Sequence, residues 1–402
     1  MIGLAYCDRA GRIYYDETRT PLADGGIVRE AHPDELIPAP AGTVPMILPG
    51  RRALTTRGTT RGRYALAVML PAGYTRLLVP AYEREDGAPA LPLFGYTFAC
   101  VRDDQLHVAA MKTDESEDWQ PRTFAAGELE AILDARLRGD PGNQVLAQVA
   151  LCSREYGCFT AQNVFLERGE AALPVSPKCN ARCVGCISEQ EPDAGLPSPQ
   201  TRIAYETTAD ELARIAIHHL GCVPEGIVSF GQGCEGEPLL RAVAIAAATE
   251  RIRSVRSNGT INLNTNGSMP RALERCIDAG LDAVRISLNS FRPSVYSAYY
   301  RPIGYGLEDV FESIRLAVRR GLRVSVNLLT HPGVTDSEDE VAAMEAFLGE
   351  TPVTMVQTRT LNIDPEWYFD TVGRPRHAIG MRRVIETLRR SRVAVGNFTH
   401  TH

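Results

Sequence analysis

From residue 226 onward, apolar side chains recur at every second position in short runs. Val228 and Phe230 alternate with Ser229 and Gly231. Ile261 and Leu263 alternate with Asn262, Asn264 and Asn266, and Val284, Ile286 and Leu288 with Arg285, Ser287 and Asn289. The pattern continues with Val324, Val326 and Leu328 against Ser325 and Asn327, and with Val356 against Gln357 and Arg359. Successive side chains of a strand point to opposite faces, so each run predicts a strand with one apolar and one polar face. With the apolar run 171–175, the predicted strands are 171–175, 226–231, 260–266, 283–290, 323–329 and 353–360. Helical runs near 207–220, 238–255, 270–279, 306–320 and 337–349 lie between them, and another follows at 377–391. Thr208-x-x-Glu211 and Ser337-x-x-Glu340 are capping-box patterns, and Gly280, Gly321 and Gly349 stand where helices end. Six βα units predict a parallel sheet with right-handed crossovers. The apolar face must meet the helices. The polar face lines an inside that Val, Ile and Leu would fill in a packed barrel, so a hollow, ligand-holding lumen is expected.

Residues 1–165 have a different texture. Short apolar runs at 64–70, 75–81, 94–101 and 105–111 are separated by turn-like Pro71-Ala72-Gly73 and Asp103-Asp104, which predicts a β-rich unit. Residues 127–138 read as its one helix. Pro38, Pro40, Pro45 and Pro49 restrict the backbone and predict an extended loop over 38–49. The expected division is a β-rich domain over 1–165 and an α/β partial barrel over 166–402.

Composition narrows the class. The chain has 402 residues, 44% of them hydrophobic and 23% charged, with a net charge of −6. This suits a globular protein of two or three domains and gives no support to a nucleic-acid partner. No run reaches the ~18 apolar residues of a membrane span, and the N-terminus lacks the basic-then-apolar pattern of a signal peptide. A cytoplasmic location is therefore expected. In that setting ten cysteines point to metal or redox use rather than to disulfides.

Three of those cysteines, Cys179, Cys183 and Cys186, form C-x3-C-x2-C in a polar loop directly after the first predicted strand. Three thiolates can hold three irons of a [4Fe–4S] cluster and leave the fourth open to a small molecule. Cys183-x2-Cys186 is also half of a zinc site, but the chain has no second C-x2-C, and His218 and His219 fall in a helical run. Three buried unliganded thiols fit poorly in so polar a segment.

The cysteine triplet resembles the signature of the radical S-adenosylmethionine (SAM) superfamily, and the resemblance covers roughly residues 171–365. It implies a partial (β/α)6 barrel, a [4Fe–4S] cluster on Cys179, Cys183 and Cys186, and SAM bound at the open iron and cleaved to a 5′-deoxyadenosyl radical. Gly233-Cys234-Glu235-Gly236-Glu237-Pro238 resembles the family's Gly-Gly-Glu-Pro element, with Glu235 in place of the first glycine. Gly236 and Glu237 would then meet the amino group of SAM. Asn264, Asn266, Ser287 and Asn289 end the third and fourth strands, where the family contacts the ribose and carboxylate. Tyr300-Arg301-Pro302 and the stretch from Asn327 to Gly333 also resemble the family, which makes Arg301 and Asn327 candidates for SAM. One departure is Gly185, where the family usually has an aromatic residue beside the third cysteine.

For the substrate, His331, Gln357, Arg359 and Asn362 fall near the ends of the fifth and sixth strands, and Arg359 would suit a carboxylate or phosphate. Cys158 and Cys234 are further candidates, while Cys7, Cys100 and Cys152 are open between a second metal site and simple packing. The expected partners are a small-molecule or peptide substrate and an external electron donor such as flavodoxin or ferredoxin. The expected activity is reductive SAM cleavage followed by hydrogen abstraction from a polar substrate. Two alternatives stay open: a peptide- or protein-modifying maturase, and a non-catalytic iron–sulfur electron carrier built on the same loop. No cysteine follows Cys276, which counts against the C-terminal auxiliary-cluster extension of many peptide-modifying members. The β-rich domain is expected to deliver specificity, by presenting a peptide or covering the barrel mouth.

Overall fold

The computed structural model describes residues 2–114, 122–190, 195–391 and 393–398. Its second half is a sheet of seven parallel strands in sequential order. They are β1 (Glu170–Leu173), β2 (Ile227–Phe230), β3 (Thr260–Thr265), β4 (Ala283–Leu288), β5 (Arg323–Thr330), β6 (Met355–Thr360) and β7 (Ala394–Gly396). Six of these match the predicted strands. β7 follows the helix Met381–Arg390 and pairs in parallel with β6; at three residues it is too short for periodicity to mark.

Register places Ser229 beside Asn262, Asn264 beside Arg285, Ser287 beside Asn327, and Asn327 beside Gln357. All the polar alternates therefore share one face. Along β5 buried and half-buried residues alternate without a break, with Val324, Val326 and Leu328 buried and Ser325 and Asn327 partly open. The apolar face forms one large core with the surrounding helices. The polar face keeps accessible surface at Asn264, Arg285, Ser287, Ser325 and Asn327, so the inside of the arc is hollow.

The first half is antiparallel. A nine-stranded sheet is built around the long hairpin Val44–Thr55 and Gly58–Met69, and a three-stranded sheet flanks it. The segment expected to be a loop over 38–49 is largely strand: Pro38 ends Leu36–Pro38, and Pro45 and Pro49 lie within Val44–Thr55. Tyr82–Arg84 pairs only with 51–53 of that strand. Its proline-bearing end is thus a sheet edge, where the missing N–H costs no ladder bond.

Three helices rather than one precede the barrel: Glu128–Gly139, Gln144–Glu155 and Phe159–Leu166. Leu133, Val145, Leu146, Val149 and Val164 belong to the barrel's hydrophobic core. By packing, these helices go with the parallel sheet although they lie before residue 166.

The two halves meet along β5 and β6. Thr75 Oγ1 and Thr358 Oγ1 are 2.6 Å apart. Arg51 is fully buried and donates to Asp364 Oδ2 at 2.9 Å. Arg76, equally buried, donates to the carbonyls of Tyr96, Thr330 and Leu361 at 3.3, 3.4 and 3.3 Å. Burial lowers its pKa to about 9. At Gly95 any Cβ would lie 2.7 Å from the Thr360 methyl, so the seam admits only glycine there without a shift.

Candidate active site

The cysteine loop leaves the carboxyl end of β1, where loops of parallel sheets gather ligands. Neighbouring segments fasten it on two sides. On one side, Glu235 accepts from the N–H groups of Val175 and Ser176 at 2.8 and 2.7 Å and, through its other oxygen, from Gln232 N at 2.7 Å. Its carboxylate therefore joins the loops after β1 and β2. Burial raises its pKa to about 8, while the three N–H donors pull the other way. This gives a structural reason for a glutamate where the family motif has glycine.

Next to it, Gly236 N donates to Ser176 O at 2.7 Å and Glu237 N to Lys178 O at 2.8 Å. A Cβ on Gly236 would sit 2.0 Å from the Lys178 carbonyl oxygen. Glycine is required here because the two loop backbones touch.

On the other side, Arg182 N donates to Tyr300 O at 3.1 Å, Val184 N to Tyr299 O at 2.9 Å and Ile303 N to Asn180 O at 2.9 Å. Arg301 makes the left-handed turn that ends the helix Pro293–Tyr300, with φ of 46°. Its backbone thus shapes the bed of the cysteine loop, and its side chain is exposed. Gly185 has an explanation too: a Cβ there would lie 2.8 Å from the Tyr299 hydroxyl. An aromatic ring stands beside the third cysteine, but the helix Pro293–Tyr300 supplies it.

All three cysteines are free thiols and half-buried. Burial pushes Cys179 up to about 11 and Cys183 further, and each of the other two sulfurs adds to the rise at Cys183. Each thiolate makes the others harder to form, and a metal's positive charge is what would let them ionise together. Four ligands around one zinc stand about 3.8 Å apart, from Zn–S distances near 2.3 Å. Among the described residues, the one group of three donors within 4.8 Å of one another is Glu167, His218 and Cys222, at the surface. The loop cysteines are spread wider than that, as ligands of separate irons in a cluster are.

Of the residues expected near SAM at the sheet's carboxyl edge, Glu237 and Asn266 are linked to each other and to the cysteine loop, while Asn264, Asn289 and the Ser287–Asn327 pair bond separately. Glu237 is buried and accepts from Leu239 N at 3.0 Å, from Asn266 N at 2.8 Å and from Thr265 Oγ1. Burial raises its pKa to about 7. Asn266 Nδ2 donates to Asn180 Oδ1 at 2.9 Å, which ties this edge to the cysteine loop. Asn264 Nδ2 donates to Gly231 O at 2.7 Å. Asn327 Nδ2 donates to Ser287 Oγ at 3.1 Å, while its Oδ1 is buried without a partner. Asn289 is fully buried, donates to the Tyr368 hydroxyl at 3.1 Å, and likewise has an orphan Oδ1. Unpaired buried acceptors are uncommon, and a ligand rich in hydroxyl and ammonium donors such as SAM would satisfy them.

A cavity of about 440 Å³ opens in the lumen. Of the substrate candidates, Gln357, Arg359, Asn362 and Cys158 line it. His331 does not. It is fully buried, stacks on Tyr368 and Phe369 with ring centroids 4.8 and 5.0 Å away, and shares a 2.8 Å hydrogen bond with Pro332 O. Burial and nearby Arg76 hold its pKa well below 6.5, so it is a neutral core histidine. Cys234 and Cys152 are buried and are absent from the lining. Cys7 and Cys100 are buried in the antiparallel half.

Glu170 and Arg285 also line the cavity, and the sequence did not mark them as a site. Arg285 Nη2 reaches Glu170 Oε1 at 3.2 Å, and Ser229 Oγ donates to the same oxygen at 2.5 Å. Arg285 was legible as an inward polar position. Glu170 lies just before the predicted strand 171–175, outside the alternating positions.

Sequence comparisons agree with this geometry. Residues 173–344 match the family model described as Radical SAM superfamily. The GTP 3′,8-cyclase of Streptomyces coelicolor is 33% identical over 171 residues, covering 41% of this chain and 46% of that protein. Molybdenum cofactor biosynthesis protein 1 of Mus musculus is 30% identical over 199 residues, covering 48% of this chain and 29% of that protein. The chain thus spans less than half the length of either relative. A radical SAM methyltransferase of known structure from Sphaerobacter thermophilus aligns with a TM-score of 0.40 and 17% identity, covering 56% of this chain and 64% of that one.

A parallel α/β arc with a three-thiol loop at its carboxyl edge is the architecture of a cofactor-dependent enzyme. Residues 173–344 carry the match to the radical SAM superfamily, and that family implies a [4Fe–4S] cluster and SAM. Among the described residues, no helix is long and apolar enough to cross a membrane.

Proposed function

We propose that this protein cleaves SAM reductively and abstracts hydrogen from a polar substrate in the lumen. The observation that carries the proposal is the cysteine loop at the sheet's carboxyl edge: three free, half-buried thiols spread more widely than the ligands of one ion. Cys179, Cys183 and Cys186 would hold the cluster. When bound, the cluster and SAM supply a one-electron cleavage and a deoxyadenosyl radical. The chain's own residues position and enclose. Glu237 and Gly236 offer a carboxylate and a close backbone approach to an ammonium group, and Ser287, Asn327 and Asn289 offer acceptors to hydroxyls. The antiparallel half walls the lumen with Leu70, Tyr74 and Gly95, which keeps water from a reactive intermediate. The electron would come from an external donor of the flavodoxin or ferredoxin type.

The test is anaerobic cluster reconstitution, reduction in the presence of SAM, and assay for 5′-deoxyadenosine. Wild type is expected to form it and Cys183→Ala to form none. A loaded cluster that neither cleaves SAM nor changes its EPR signal when SAM is added would point instead to an electron carrier.

A further inference from the structure

The lumen cavity has a charge imbalance that SAM does not explain. Gly236, Glu237, Asn264, Asn266, Ser287 and Asn327 are absent from its lining, so the cavity is a different place from the edge read as the SAM site. Its charged lining residues are Glu170, Arg285 and Arg359, two cations and one anion. Arg285 is engaged by Glu170 at 3.2 Å. Arg359 donates Nη1 to the neutral Asn397 carbonyl at 2.6 Å, and among the described residues no carboxylate forms an ion pair with it.

Arg359 is the penultimate residue of β6, paired with β5 at Leu329 but two residues beyond the last one paired with β7, and it is exposed. Its free surface therefore opens onto the cavity. Desolvation and nearby Arg285 lower its pKa, while Glu170 and Asp114 favour its charge without forming an ion pair with it. With Nη1 given to the Asn397 carbonyl, the guanidinium keeps further N–H donors to offer an anion. Its planar fork fits a carboxylate or a phosphate through paired N–H donors. Leu70, Tyr74, Phe159 and Phe398 supply apolar and aromatic walls around it.

We infer that the substrate carries an anionic group, a carboxylate or a phosphate, on an apolar or aromatic body, and that Arg359 holds that group. The inference rests on the proposed function only in taking this cavity as the substrate site.

The experiment is calorimetric titration of the anaerobic, cluster-loaded protein with phenyl phosphate, benzoate and neutral benzyl alcohol. One or both anions are expected to bind saturably, at least about tenfold tighter than benzyl alcohol, in keeping with the strength of charge-assisted hydrogen bonds. Phenyl phosphate against benzoate separates the two anion types. Arg359→Gln is expected to weaken the anion about tenfold or more. Arg359→Lys, which keeps the charge and loses the fork, should fall between. Arg319→Gln, an exposed residue paired with Glu312, should leave binding unchanged. If Arg359→Gln does not fold, the Arg359→Lys arm decides. Equal binding of all three probes, no saturable binding of either anion, or anion binding indifferent to both Arg359 variants overturns the inference. Deoxyadenosine formation by the wild type is read separately. Arg359-dependent anion binding without SAM cleavage would keep the anion site and sink the proposed reaction. SAM cleavage without anion binding would do the reverse.

Discussion

The parallel and antiparallel halves bring different buried charged groups to the carboxyl edge of the parallel sheet, although the antiparallel half also buries Asp24 and Asp114. At the carboxyl edge of the parallel sheet the buried ions are carboxylates: Glu235, Glu237, Glu340 and Asp364. Each accepts from backbone N–H groups, as Glu340 does from Phe291 N at 2.6 Å and Asp364 from Glu366 N at 3.0 Å. The antiparallel half contributes guanidiniums, Arg51 and Arg76. The cause lies in the backbone. Loops at that edge turn into helices, whose first N–H groups lack partners and attract carboxylates. The Thr330 carbonyl accepts from Leu361 N at 3.0 Å, and Arg76 adds a donor to it and to the Leu361 carbonyl from across the seam. The difference shows that the first half completes the hydrogen bonding of the second instead of resting on its surface.

The largest effect should come from breaking that complementarity. Asp364→Ala leaves Arg51 buried without its partner and should cost about 3–5 kcal/mol in urea unfolding. Adding Arg51→Met should recover much of it, since a buried pair replaced by apolar groups is often near neutral. A loss under about 1 kcal/mol, the size of an exposed pair, would mean the halves are energetically independent.

Gly236→Ala tests the carboxyl edge alone. The added carbon meets a backbone oxygen at 2.0 Å, so the two loops must part, at about 1–3 kcal/mol. Iron bound per chain after reconstitution should fall well below wild type; full loading with unchanged stability would contradict the close packing.

A smaller effect distinguishes the buried carboxylates by pH. Burial raises Glu340 from 4.5 to about 7, so the folded state holds its proton more tightly than the unfolded chain. Its contribution is fully present below pH 4.5 and is lost as pH rises through about 7. The stability of wild type relative to Glu340→Gln should therefore decline across that window, by about 1–2 kcal/mol. A flat difference curve would show the carboxylate is not held as described.

The smallest is local. Gly185→Ala crowds the Tyr299 hydroxyl and should cost about 1 kcal/mol. Combining it with Tyr299→Phe removes the oxygen 2.8 Å from the new carbon and should restore most of the loss. Additive costs would place the clash elsewhere.

The sequence was most informative where a repeating physical constraint acts along the chain. Alternation in 226–231, 260–266, 283–290 and 323–329 revealed the strands and the face that lines the lumen, because a sheet buried on one side enforces period two. The cysteine spacing stood out because its chemistry needs soft ligands in one loop. What stayed hidden depends on tertiary contact. The helices Gln144–Glu155 and Phe159–Leu166 carry weak periodicity and become helices against the barrel core. His331 sits in a loop sequence and is nevertheless sealed under Tyr368 and Phe369. Glu235 looked like a flaw in a glycine motif until its three N–H partners were placed. Gly185 looked like a lost ring, because the replacing ring lies over a hundred residues away in sequence.

The Arg285–Glu170 pair has a mechanical consequence. It joins β4 to β1 across the concave side of the arc, skipping β2 and β3. A tie between two points of a curved sheet acts as a bowstring and limits how far the arc can flatten. Both ends of that string are also walls of the cavity. A ligand that draws Arg285 toward itself slackens the string, and the width of the chamber then follows what occupies it.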